Sequence, residues 1–468
     1  MDTEQREEAV IPEIHAGSRF EMGALAASHS GHAIKAVVRE LSRWARRSPA
    51  RLEEFMRRAR DHERFLRAAD RSSLVELEGL SGGLSLSFED LYHARFLAES
   101  IIAPQCTNFG AVPPATTEDD VLVSWNFDVP PYFRLILGRS PLYVRDIDGT
   151  IPHVCLGVPA LFGIGILNAE GLSCVVNAVG VTDDGEGFTQ FELNNKAMES
   201  CSTVDGAAEV FETGPRQAIK AMTTGMLLNW NTLWVDKGAD LSLFESSHNH
   251  FHRQRAAEDG LMASANHHQF LDRGMTGSVD PTMQELIAGS YSRLARMWAL
   301  LRQYHGSIEP LTVKSIVSDH IPDYSLLKEF GIDREWWEEM VDDATICAHA
   351  WNAGKHLRAG DIGGAFMESS FSTTVYSLQV HPRSMTVWFT NGRPCRNIAR
   401  PLYYGDLLGA PVEPKPLALT PEHVFNSRSV RVRKGIFRRG MVPWESAFDK
   451  AWMVLTRTME KPNFKKRS

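Results

Sequence analysis

Between Gly31 and Arg47 the apolar residues Ile34, Val37, Val38, Leu41 and Trp44 recur at steps of three and four, which predicts a helix with one buried stripe. Pro49 interrupts the pattern. A second helix is predicted from about Ala50 to Arg67, where Glu53, Glu54, Asp61 and Glu63 are interleaved with arginines on a solvated face. A third begins near Ser87, where Ser-Phe-Glu-Asp resembles a capping box and Leu91, Phe96 and Leu97 follow. At Ile101 the texture changes to short apolar runs divided by Gly, Pro, Asp and Asn. Val121–Trp125, Leu142–Arg145 and Leu172–Val176 read as strands, rich in β-branched and aromatic residues. Helical spacing returns at 203–223, 280–305, 310–317, 324–330 and 335–355. A last strand pair, Thr374–Val380 and Met385–Thr390, flanks His381-Pro-Arg-Ser. With no repeat or low-complexity tract between them, these segments predict one layered α+β domain.

Composition narrows the function. The 468 residues are 43% apolar and 23% charged, ordinary for a globular chain that needs no disulfide or metal to hold a core. A net charge of -8 excludes a general polyanion binder, so no nucleic-acid partner is expected. The six cysteines are scattered without a C-x-x-C pair, which predicts neither a disulfide scaffold nor a cysteine-rich zinc site. The N-terminus is too polar for a signal peptide, and no apolar run reaches about 18 residues. The expectation is a soluble protein of the reducing cytoplasm with no membrane partner; a homo-oligomer is left open.

Several residues could carry chemistry. Cys106 opens a polar loop in Pro104-Gln-Cys-Thr-Asn108, where helix gives way to strand. Asn126-Phe-Asp128 closes an apolar strand, Gly163-Ile-Gly-Ile-Leu-Asn168-Ala-Glu-Gly171 is a Gly-flanked turn, and Asn266-His267 and Ser290-Tyr-Ser-Arg293 follow. Singly, each has a plain structural reading: a buried cysteine, a turn asparagine, a helix-surface cation.

In that order they resemble the acyl-coenzyme A:6-aminopenicillanic acid acyltransferase-like family of N-terminal-nucleophile hydrolases, relatives of the choloylglycine hydrolases. The resemblance extends to Ala16-Gly17 through Gly23, Ser318-Asp319-His320, Ala344 to His349, Ser372-Thr-Thr and Asn391-Gly-Arg-Pro-Cys395. It implies a four-layer αββα sandwich and an inactive precursor that cuts itself between Gln105 and Cys106. The pieces would be 1–105 and 106–468, sharing one domain. It implies Cys106 as nucleophile, Asp128 as the group holding the new α-amine, Asn168 and Asn266 as oxyanion donors, and Arg293 as the electrostatic partner of the thiolate. The expected substrate is a linear amide or acyl thioester of a small molecule, with no cofactor. An α-amine has a pKa of about 7.7–8.0, so it can take the thiol proton without a histidine. Three positions depart from the family: Gln105 stands where Gly is frequent, Ala265 where Thr is common, and Trp125 where the choloylglycine relatives carry Arg. The last argues against bile-salt substrates.

Two rival readings remain. His248, His250 and His252 would share one face of a strand and could bind zinc or nickel as a metal-dependent hydrolase. Alternatively, Arg428, Arg431, Arg433, Lys434, Arg438, Arg439 and the Lys465–Arg467 tail could serve a non-enzymatic interaction protein, although the Val/Arg alternation fits a charge-protected edge strand.

Overall fold

The computed structural model describes residues 13–45, 49–100, 106–129, 137, 141–221, 225–271, 281–323, 325, 345–349 and 373–412. Strand β1 (Glu13–Gly17) is followed by α1 (Arg19–Ala45), α2 (Pro49–Ala69), α3 (Ser72–Leu84) and α4 (Phe88–Ser100). The expected stripe of α1 is buried at Ile34, Val37 and Val38, and it continues backwards through Ala26 and Met22. Two glycines let α1 and α3 cross closely. A Cβ on Gly23 would lie 1.9 Å from the Glu76 carbonyl oxygen, and one on Gly79 would lie 2.0 Å from that of Phe20. Ser87 caps α4, accepting from the Asp90 N–H at 3.0 Å.

The remaining strands form two sheets. The first holds β1, β4 (Leu142–Ile147), β5 (His153–Val158), β6 (Phe162–Asn168), β7 (Leu172–Val181), β9 (Leu227–Asp236), β10 (Leu241–Ser246) and β11 (Phe251–Arg255), in that spatial order, with β8 (Ile219–Lys220) paired to β9. The second runs β12 (Leu261–Ser264), β2 (Thr107–Ala111), β3 (Leu122–Val129), β13 (Thr373–His381), β14 (Thr386–Asn391), β15 (Arg400–Tyr403). Every pairing is antiparallel except β1 on β4.

Four more helices complete the described residues: α5 (Gln190–Ser200), α6 (Val204–Thr213), α7 (Pro281–Gln303) and α8 (Pro310–Val317). Strands β2 and β3 face β7 and β9, so the two sheets lie against each other. Helices α4 and α5 cover β6, α6 covers β9 to β11, and α7 and α8 cover β2, β3, β12 and β13. This is an α+β fold in αββα layers, as expected. Phe109, Leu122 and Leu261 pack on Leu294, Met297, Leu301, Val313 and Ile316 to seal the α7–α8 layer. Among the described residues no helix is long and apolar enough to cross a membrane.

Some expectations are corrected. The helix predicted over 203–223 ends at Thr213 and gives way to β8. Residues 345–349 form a bent segment rather than helix, while 324, 326–344 and 350–355 lie outside the described residues. So do Gln105, the 428–439 stretch and the 465–467 tail.

Candidate active site

Strand alternation decides which groups meet. Cys106, Trp125 and Phe127 join the core between the sheets, whereas Phe109, Ala111 and Leu122 face α7 and α8. Asn126 belongs to that helix-facing side, where its amide donates to the carbonyls of Val317 at 2.9 Å and Ile346 at 2.8 Å. Asp128, two residues on, shares its side of the strand. Cys106 Sγ lies 3.8 Å from the Asp128 main-chain carbonyl oxygen at the end of the β2–β3 ladder, and the Asp128 carboxylate is near enough to act electrostatically on the thiol.

Asp128 is fully buried, and neither carboxylate oxygen has a hydrogen bond of good geometry. The hydroxyl of Thr374, its cross-strand partner, stands close enough to lower its pKa. Burial nonetheless pushes Asp128 up to about 8, against the pull of the Arg293 guanidinium. Burial and the neighbouring Asp128 push the Cys106 thiol up to about 12, with the Trp125 indole and Arg293 opposing them. In the intact chain the thiol is therefore neutral.

Arg293, on α7, donates from Nη2 to Asn266 Oδ1 at 2.8 Å. Asn266 follows β12 and ties three layers together. Its N–H donates to Ser290 Oγ at 2.7 Å, and its side-chain amide donates to the Ala178 carbonyl of β7 at 2.8 Å. Burial lowers the Arg293 pKa, while Asp128 and Cys106 raise it, so the cation lies within electrostatic reach of both. Cys106, Asp128, Asn266 and Arg293 are thus brought together.

Asn168 is not among them. Its amide donates to the carbonyls of Met198 at 3.0 Å and Cys201 at 2.8 Å, and its Oδ1 accepts from the N–H groups of Glu170 and Leu172. These bonds close the β6–β7 turn against the end of α5. Five residues along β7, roughly 17 Å at strand rise, lies an amide the sequence reading passed over. Asn177 donates to Ser264 Oγ at 3.2 Å, and its buried Oδ1 has no partner. It pairs across the ladder with Asn231, whose Oδ1 is likewise unpartnered, and Ser264 pairs with Asn108, unpartnered at both side-chain atoms. The available signal was a lone amide within the apolar run Val175–Val179.

The histidine reading is corrected as well. His248 and His250 lie in the turn closed by the Ser247 N–H and the His250 carbonyl, and β11 starts at Phe251, so the three imidazoles do not share a strand face. His248 is bonded to the Arg216 carbonyl, and His252 stacks on Phe270. A set of metal-ligand side chains does meet elsewhere: His320, Cys347, His349 and Cys395. Cysteine spacing gives no hint of this cluster, because the four residues come from three separate segments.

No family model matches the chain, and no curated protein matches it. Among solved structures it is similar to penicillin V acylase from Agrobacterium tumefaciens, at 12% identity over 61% of this chain and 83% of that one, with a TM-score of 0.31. It is also similar to a mutant of the conjugated bile acid hydrolase from Clostridium perfringens, at 10% identity over 67% and 97%, with a TM-score of 0.33. A second variant of that hydrolase gives 8% identity over 66% and 88%, with a TM-score of 0.30. Superpositions this loose leave the site to be read from its own geometry.

Proposed function

We propose that the protein is a self-processing cysteine amidohydrolase or acyltransferase that carries the acyl group of a small linear amide or thioester on Cys106. One observation carries this reading. A thiol, a carboxylate and a guanidinium–amide pair, scattered between positions 106 and 293, lie within electrostatic reach of one another in a buried region that leaves polar atoms unpartnered.

The chemistry follows from that arrangement. In the uncut chain the Cys106 nitrogen is an amide and offers no base. The thiol attacks the Gln105 carbonyl, the acyl group passes from nitrogen to sulfur, and water hydrolyses the thioester, freeing the Gln105 carboxylate and a Cys106 α-amine. That amine takes the thiol proton in later turnovers, and substrate forms a thioester that passes to water or an amine. Asp128 holds the α-ammonium, and Arg293 favours the thiolate. The amide of Asn266 has a second hydrogen beyond the one given to Ala178, and with Asn177 it supplies oxyanion donors. Asn177 takes the place first expected for Asn168. The unbridged cysteines support a reducing compartment.

Denaturing electrophoresis of the purified 52.3 kDa chain should show pieces near 12 and 41 kDa, in proportion to 105 and 363 of its 468 residues. Cys106→Ala should remain one chain and form no thioester with N-acyl amino acids, β-lactams or acyl-coenzyme A esters. An uncut, fully active wild type would sink self-processing. Turnover by Cys106→Ala would remove Cys106 as nucleophile.

A further inference from the structure

His320, after α8, Cys347 and His349, in the segment 345–349, and Cys395, after β14, are all buried, and their donor atoms lie within 4.8 Å of one another. His349 Nε2 is 3.0 Å from His320 Nε2, 3.5 Å from Cys347 Sγ and 3.2 Å from Cys395 Sγ. Zinc bonds of about 2.0–2.1 Å to nitrogen and 2.3 Å to sulfur, arranged tetrahedrally, require edges of about 3.3 Å between nitrogens and about 3.6 Å from nitrogen to sulfur. Each of the three measured edges is within about 0.4 Å of those values.

We propose that His320, Cys347, His349 and Cys395 form a structural zinc site. Two thiolates and two imidazoles are a closed zinc donor set with no position left for water, and the two sulfur charges neutralise the buried ion. On binding, both thiols give up their protons to solvent as the Zn–S bonds form.

The ion fastens three remote segments against the floor of the candidate active site. The Ile346 carbonyl accepts from Asn126, and the Ala348 N–H donates to Thr374 Oγ1 at 2.9 Å, beside Asp128. The Cys347 N–H reaches the Asp319 carbonyl at 3.0 Å, and Asp319 is paired with Arg296, one turn from Arg293.

Arg393 bears on how the site fills. Its Nη1 lies 3.1 Å from His349 Nδ1. A guanidinium only donates, so without metal the His349 proton sits on Nε2, toward His320 and the sulfurs. Ligation through Nε2 moves that proton to Nδ1, which then wants an acceptor. Arg393 must swing aside, and Arg393→Gln, whose carbonyl can accept, should hold zinc more tightly.

The test uses the untagged full chain, purified without chelator, with metals measured by elemental analysis. Wild type and Cys106→Ala should each carry one zinc per chain, and His349→Ala and Cys395→Ser less than a tenth of that. Because those variants could fail to fold, the wild-type chain is also stripped, reduced and titrated with cobalt. It should develop the visible bands of a tetrahedral ion together with thiolate-to-cobalt charge transfer. Arg393→Gln should lose zinc to a competing chelator several-fold more slowly, and equal loss overturns the role given to Arg393. Absence of zinc with no cobalt bands overturns the site. So does zinc unaffected by the ligand variants, or a Cys347–Cys395 disulfide in freshly purified protein.

Discussion

Two regions of buried polar groups are built to opposite rules. Between the first helices and the first sheet, Arg145 forks onto Glu76 with two 2.9 Å contacts and reaches Glu199 at 3.4 Å, and Arg19 meets Glu199 at 2.5 Å. Nearby, Glu192 takes His62 at 3.1 Å and Arg95 at 2.8 Å. Against the upward push of burial, these partners hold Glu192 and Glu199 below the usual carboxylate range. Around Cys106, Asp128 keeps two unpartnered oxygens, and Thr107, Asn108, Asn177 and Asn231 keep unpartnered polar atoms too. Paired charge specifies architecture. Unpaired polar atoms in a dry place are costly to maintain, and they mark where a ligand completes the set. A small cavity of about 50 Å³ lies among Arg19, Glu76, Arg145 and Glu199, but its charges already neutralise one another. It is a gap in the scaffold, and Cys106 does not line it.

The contrast can be broken from either side. A large loss of stability is expected from Glu76→Ala, which leaves Arg145 only its 3.4 Å contact with Glu199. Losing one partner of a buried pair costs about 3–5 kcal/mol, and a urea midpoint should show it while activity per folded molecule stays unchanged. Asn177→Ala should do the reverse. It should slow acyl transfer by about 10²–10³, as loss of an oxyanion donor does, with little change in the urea midpoint. Asn168→Ala should lower stability by about 1–3 kcal/mol through the carbonyls and N–H groups it leaves unpaired, with the rate of acyl transfer intact. A rate loss there as large as that of Asn177→Ala would reverse the two assignments.

A pH dependence is read in the uncut Cys106→Ala chain. Folded Asp128 keeps its proton to about pH 8, whereas the unfolded chain releases it near its ordinary value of 3.8. The folded state thus binds the extra proton, and the stability of the uncut Cys106→Ala chain falls as pH rises from about 4 to about 8. Asp128→Asn does not titrate. Added to Cys106→Ala, it should raise the melting temperature by a few degrees across that window and no more above it.

Periodicity made α1, α2, α4 and strands such as β3, β7 and β13 legible. It missed α3, whose Gly79, Gly82 and Gly83 oppose helix propensity. It also missed β9 and β10, where Asn229, Asn231, Ser242 and Glu245 interrupt the apolar residues although both strands are buried. For the candidate site, their order singled out Cys106, Asp128, Asn266 and Arg293, which fold into one neighbourhood. Asn168 shows the limit of order, since a Gly-flanked asparagine has turn chemistry enough to explain it. Asn177 carried the better physical signal, an amide set into an apolar strand. The His320–Cys395 cluster left no local spacing to read, because tertiary folding alone brings its segments together.

The paired network has a consequence for a chain cut before Cys106. Arg19, His62, Glu76 and Arg95 would lie on one piece and Arg145, Glu192 and Glu199 on the other, with β1 adding a parallel strand to β4. Native conditions would keep the pieces together, and purification would yield what looks like one protein. Unfolding would separate them, and recovery would then require two molecules to find each other, with a yield that falls on dilution. The uncut chain folds as a single molecule, so maturation would convert a reversible fold into one assembled properly only once.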